Sequence, residues 1–196
     1  MREIKSEEFP SYIMRHTFLT RWFHWSQALL LAILAVSGLA ISWSWRLQSG
    51  IAYHFLAAWL FGLNLFCYFA FLSLTGQWRR LTPHRDSLPK ACGEFSRDLK
   101  GLPPLAGSDD GYNHGQRIAY SAVLAMELLA ILSGLAIWKP IELQWITAAF
   151  GGYTLARQLH YAIWLGFQFF LLVHVGQAAR AGWSTIRAMI IGRIES

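Results

Sequence analysis

The chain has 196 residues, 55% of them hydrophobic and only 14% charged. Apolar residues gathered in long uncharged blocks exclude a water-soluble domain of this length, and the block lengths suit membrane-spanning helices, which satisfy their own backbone hydrogen bonds in lipid. The net charge of +6 reads as basic cytoplasmic loops, so no nucleic-acid partner is expected.

Residues 1–20 are polar and basic, with acidic residues ahead of any apolar run. The first run is therefore expected to be a retained helix, not a cleaved leader. That first span is predicted over residues 22–43 and the second over 52–75. Residues 76–117 are charged and contain Pro83, Pro89, Pro103 and Pro104, the composition of an extramembrane loop. A short surface helix is expected in it, from Glu94 to Leu102. The third span covers 118–138. Residues 139–157 combine Leu143, Trp145, Ile146 and Phe150 with Gly151 and Gly152, the pattern of an interfacial helix. The fourth span covers 158–179, and a basic tail follows. The prediction is an all-α fold, a single membrane domain over 1–196 built as a four-helix bundle. Ten tryptophans suit interfacial anchoring and cofactor packing. Cys67 and Cys92 lack a CxxC spacing and read as two unpaired thiols.

Lysine and arginine set the orientation. Arg46, Lys139 and Arg157 are the only three in the two short loops. The other fourteen of the 17 basic residues fall in the N-terminal segment, the 76–117 loop and the tail. Both termini and the long loop are therefore expected in the cytoplasm. A short echo also stands out. Ser37-Gly38-Leu39-Ala40-Ile41 recurs as Ser133-Gly134-Leu135-Ala136-Ile137 near the outer ends of spans one and three. It reads as a two-helix duplication or as coincidence among small residues.

Seven histidines occur. His16, His84 and His114 fall in polar cytoplasmic stretches and read as ordinary. The other four lie in spans, where a polar titratable group is costly and is usually paired or functional. His160 and His174 share the fourth span. Fourteen residues advance a helix about 21 Å and turn it to within roughly 40° of four full turns, so both rings point to nearly the same side. His24 lies near the cytoplasmic end of span one, at the depth of His174. His54 lies near the outer start of span two, at the depth of His160. A lone membrane histidine is commonly a packing residue; two depth-matched pairs point to metal ligands.

No acidic or cysteine companion sits at those depths, which argues against tetrahedral zinc. Two axial imidazoles and an apolar macrocycle between helices match low-spin haem b, and the absence of CxxCH excludes covalent attachment. The reading is two haem b groups, an inner one on His24 and His174 and an outer one on His54 and His160. Bis-histidine ligation leaves no open position on iron and favours electron transfer. Gly38, fourteen residues after His24 and on its face, is read as making room for the outer porphyrin, with Gly134 and Gly166 in similar roles. Glu127 is the only charged residue inside the predicted spans and is expected to be protonated or bonded to Asn64 or Gln168. Arg15, Arg21, Arg46, Lys139 and Arg157 lie at depths suited to propionates, though topology requires basic residues there in any case.

Three features carry a resemblance: His24 within Arg21-Trp22-Phe23-His24-Trp25, the His160 and His174 spacing, and Tyr112-Asn113-His114-Gly115-Gln116-Arg117 opening span three. Together they resemble the di-haem cytochrome b subunits of formate dehydrogenase (its gamma subunit) and nickel–iron hydrogenase, with the thiosulfate reductase cytochrome b and prokaryotic cytochrome b561 proteins in the same group. The resemblance runs from about Arg15 to Gly192 and includes the tail from Gly182 to Ile190. It implies the same ligand pairing and a bacterial inner-membrane location. It also implies a quinone site (menaquinone or ubiquinone) beside the inner haem at Asn113, with Gly115 and Gln116 nearby, and His114 in reach as a proton donor.

The expected function is a quinone-reactive electron-transfer subunit linking the quinone pool, near the cytoplasmic face, to a partner on the periplasmic face. That partner would be an oxidoreductase, an iron–sulfur protein or a cytochrome. One alternative is a stand-alone b561-type quinone oxidoreductase, for example one linked to superoxide. Another is a non-redox membrane anchor or metal transporter.

Overall fold

The structure is a computed structural model that describes residues 12–14, 17–43, 48–84, 86–100 and 113–195. Arg15, His16, Arg46, Leu102, Pro103, Pro104 and Tyr112, all invoked above, lie outside the described residues.

Four long helices dominate: α1 (Phe18–Ser42), α2 (Gln48–Thr75), α5 (His114–Trp138) and α7 (Tyr153–Ala181). Between α2 and α5 lie α3 (Trp78–Leu81) and α4 (Ser87–Leu99). A short α6 (Gln144–Ala149) links α5 to α7, and α8 (Trp183–Ile191) follows. Two three-residue strands, β1 (Tyr12–Met14) and β2 (Arg193–Glu195), pair antiparallel. That pairing brings the two ends of the described chain to one face, as an even number of crossings requires.

Each long helix is long enough and apolar enough to cross a membrane. The 25 residues of α1 extend about 37 Å, against a hydrocarbon core of about 30 Å. Phe66 is 71% exposed and Leu172 74%, as expected of side chains that face lipid and not water. Exposed tryptophans cluster near helix ends, among them Trp22, Trp43, Trp78, Trp145 and Trp183, where an amphipathic ring suits the headgroup level.

The helices begin several residues before the predicted spans. Hydropathy marks where lipid starts, whereas a helix continues to its cap. Thr17 caps α1 by accepting a hydrogen bond from the Thr20 amide at 3.2 Å. Gly152, at φ +105°, precedes α7, in a conformation L side chains rarely adopt.

The surface helix starts earlier than expected, at Ser87 instead of Glu94. Pro89 sits in its first turn, where amides have no intrahelical acceptor and a missing N–H costs nothing. The 139–157 connector does contain a helix, α6, but one face of it is buried. Ile146 packs with Ala136 of α5 and Ala156 of α7, and Thr147 Oγ1 donates to the Ala136 carbonyl at 3.3 Å.

The bundle is two close pairs, α1 with α2 and α5 with α7. At the shared end, Arg21 Nη1 and Trp25 Nε1 of α1 donate to the Ile190 and Met189 carbonyls of α8, at 2.6 and 3.0 Å. The tail is thereby held against the start of the first span.

Candidate functional site

The two helix pairs face each other through the four membrane histidines. The His24 ring on α1 lies 6.0 Å from that of His174 on α7, centroid to centroid. The His54 ring on α2 lies 6.4 Å from that of His160, also on α7. The fit to a bis-imidazole iron site is metric. A metal–nitrogen bond of about 2 Å on each side, plus roughly 1 Å from nitrogen to ring centre, puts two axial imidazole centroids about 6 Å apart. Both pairs match. The described residues contain no group of three or more His, Cys, Asp or Glu placed to hold a metal ion. Aromatic rings border the His24–His174 pair: Phe170 stacks on His174 at 5.4 Å and Trp25 meets His24 edge-on at 5.0 Å. Phe55 and Trp59 of α2 pack on Trp138 of α5.

The serine–glycine echo occupies equivalent places in the two helix pairs. Ser37 Oγ on α1 lies 2.9 Å from Nδ1 of His54 on α2, and Ser133 Oγ on α5 lies 2.9 Å from Nδ1 of His160 on α7. A Cβ on Gly38 would stand 3.4 Å from His54 Cε1, and one on Gly134 would stand 3.4 Å from His160 Cε1. Both glycines thus lie in van der Waals reach of an imidazole. Gly166 admits a different neighbour, since a Cβ there would come within 2.9 Å of Met126 Cε.

Glu127 is buried, 5% exposed. Its partner is Gln27 of α1, whose Nε2 donates to Glu127 Oε1 at 3.1 Å. Asn64 Nδ2 of α2 in turn donates to Gln27 Oε1, and Ser26 Oγ lies 3.0 Å from Asn64 Oδ1. The expected link to Asn64 thus runs through Gln27, while Gln168 bonds the Trp164 carbonyl at 3.5 Å. This chain ties α5 to the α1–α2 pair inside the bilayer. Gln27→Leu would strand both neighbours and is expected to cost about 1–2 kcal/mol, whereas Glu127→Gln keeps the acceptor and is expected to be near neutral. Thermal unfolding of the two variants side by side checks this; equal melting of Gln27→Leu and the native chain would refute it.

The Asn113–Arg117 stretch is first of all a helix start. Asn113 Oδ1 accepts from the Gln116 amide at 2.8 Å, and Gln116 Oε1 accepts from the Asn113 amide at 3.1 Å, a reciprocal capping box. Glu94 of α4 completes it. Its carboxylate accepts from the Gly115 amide at 2.8 Å, from the His114 amide at 3.2 Å and from the His114 ring at 3.1 Å. A Cβ at Gly115 would stand 3.3 Å from Glu94 Oε2, so glycine lets the carboxylate close in. Arg117, 2% exposed, reaches His84 Nε2 at 3.2 Å. Ser121 Oγ donates to the Leu81 carbonyl at 3.1 Å. The loop after α2 is thereby docked on the start of α5, and His84 and His114 are joints of that dock. Just before α4, the hydrogen bond from Lys90 holds the Asp86 carboxyl below the usual carboxylate range.

Sequence reasoning missed Glu94, Gln27 and the two serines. The echo was the one available signal for the serines. Of the candidate propionate partners, Arg21 is engaged by α8, while Lys139 pairs with Glu142 at 3.0 Å and lies over Trp138. Cys67 and Cys92 are free thiols.

A membrane four-helix bundle with histidines facing in pairs at two depths has the architecture of a membrane cytochrome. The chain belongs to the prokaryotic cytochrome b561 family, whose pattern it matches over residues 15–192. It is a multi-pass haem protein of the bacterial inner membrane that works in electron transfer. It is also similar to a protein of Azospira oryzae described as a putative protein-methionine-sulfoxide reductase subunit YedZ1, at 32% identity over 148 residues, 74% of this chain and 72% of that relative.

Proposed function

We propose that the chain holds two haem b groups, on His24 with His174 and on His54 with His160, and links the quinone pool to an oxidoreductase at the outer face. The observation that carries this reading is the pair of imidazole separations, 6.0 and 6.4 Å. Both involve α7, at positions about 21 Å apart along it. When bound, such groups supply one-electron transfer. The chain's own part is to hold the rings rigid, surround them with apolar side chains and tie the helix pairs together. The excess of lysine and arginine places the shared end of the termini in the cytoplasm, so His24 and His174 form the inner pair.

The quinone is read at the cytoplasmic start of α5. The capping box occupies the Asn113 carbonyl oxygen, which leaves its Nδ2 donor for a quinone oxygen. Gly115 and Gln116 support this indirectly, by shaping the cap. An oxidoreductase partner suits the small outer connections, and the relative's description as a reductase subunit favours a reductase that draws electrons outward from quinol.

A reduced-minus-oxidised spectrum with haem quantitation tests the core of this reading; two b haems per chain are expected, and no b-type signal would overturn it. The quinone assignment has its own variant. Asn113→Ser retains an N-cap but lacks the amide donor. It is expected to weaken quinone use by about 1 kcal/mol, roughly fivefold in kcat/KM, with haem content unchanged; unaltered quinone kinetics would remove Asn113 from the site. Co-purification with a periplasmic protein separates the complex from a self-sufficient quinone oxidoreductase.

A further inference from the structure

The two serine–histidine contacts carry more than packing. Each serine hydroxyl has one hydrogen. In Ser37 it has the Ile33 carbonyl at 2.7 Å, and in Ser133 the Leu129 carbonyl at 2.6 Å. These are the short distances of O–H···O bonds, whereas the 2.9 Å separations to the imidazoles are those of N–H···O bonds. A second carbonyl stands within reach of each hydroxyl, that of Leu34 at 3.3 Å from Ser37 Oγ and that of Ala130 at 3.2 Å from Ser133 Oγ. Inside a helix the spare capacity of the backbone is a carbonyl lone pair, which only accepts. Both lines of evidence make the imidazole the donor and the serine oxygen the acceptor.

We propose that Ser37 and Ser133 are positioning residues that accept from Nδ1–H of His54 and His160, fixing both rings in the tautomer whose Nε2 is bare. The assignment rests on the two-haem reading above. A ligating imidazole whose other nitrogen donates a hydrogen bond is held in orientation and becomes more basic. A more basic axial ligand favours the oxidised metal, and hydrogen bonding around the ligands is one of the levers by which a protein sets a haem potential. The two serines act on the two histidines of one pair, which would together hold the outer haem. Each is delivered by the first helix of its pair, beside a glycine in van der Waals reach of the ring. At the inner pair the rings of Trp25 and Phe170 stand against the imidazoles.

The test uses the full chain in membranes or detergent, with Ser37→Ala, Ser133→Ala, the double variant and the Ser→Thr counterparts. Haem content and a spectroelectrochemical titration are read together. The expected result has both haems retained and one component of the titration shifted to higher potential. The shift is larger in the double variant, and threonine restores the native value because it keeps the hydroxyl and its back-bond. Selective loss of one haem, rescued by threonine, would equally support the proposal. An unchanged titration with both haems present would overturn it, as would joint loss of both haems that threonine fails to rescue. Failure of the underlying reading looks different, since the native chain itself would then bind fewer than two haems.

Discussion

His160→Ala is expected to remove the outer haem alone, and His24→Ala the inner one alone. Each change deletes one of the two histidines proposed to hold a haem, from a pair whose rings stand about 6 Å apart across the gap between helix pairs. Alanine is the best helix former, so neither helix is weakened intrinsically. The two sites share α7 but have no ligand in common. The haem-to-protein ratio should fall from two to one in each variant, with roughly half the reduced-minus-oxidised amplitude and a different surviving component in the redox titration. His54→Ala should reproduce the His160 result, and His174→Ala the His24 result. Were His160→Ala to lose both haems, or to keep both, the assignment of α7 to two separate sites would fall.

Glu94→Ala is expected to undock the loop from α5. One carboxylate serves three donors there, at 2.8, 3.1 and 3.2 Å, two of them amides in the first helical turn. Those amides have no acceptor within the helix, and the helix dipole favours a negative charge at that end. Hydrogen bonds to charged groups contribute about 1.5–3 kcal/mol each, and exposed amides regain part of that from water. A net loss of about 2 kcal/mol would raise the open population of the loop some thirtyfold. Tryptic cleavage at Lys90 and Arg97, under conditions where opening is fast, reads that population directly. Glu94→Gln keeps an acceptor without the charge and should fall between the two. If all three proteins were cut at the same rate, the carboxylate would not be holding the loop. Asn113→Ser, which leaves Glu94 in place, should not alter cleavage; the dock and the proposed quinone contact are therefore separable.

The order of helices and the depth of each histidine were legible because both are one-dimensional quantities. An uncharged block of about 20 residues measures the bilayer, and a rise of about 1.5 Å per residue converts position into depth. His24, His54, His160 and His174 could thus be paired before any contact was known. Gly38 was placed at the depth of His54, and a Cβ on it would stand 3.4 Å from the His54 ring. Depth says nothing about whether a small residue faces a ring or a cofactor. Glu127 was noticed because a carboxyl in lipid needs a partner, yet that partner, Gln27, lies 100 positions away on another helix.

Sequence alone therefore determined the class of fold, the number of crossings, the pairing of the histidines and the family, since hydropathy, helical rise and local motif are properties of a single stretch of chain. Tertiary structure decided which faces meet: Ser37 against His54, Ser133 against His160, Glu94 under the start of α5, and Gln27 beneath Glu127. Those contacts depend on how each helix is rotated about its own axis. In a membrane that rotation is set by packing and hydrogen bonds between helices, because the lipid offers no hydrophobic gradient to select one apolar face over another.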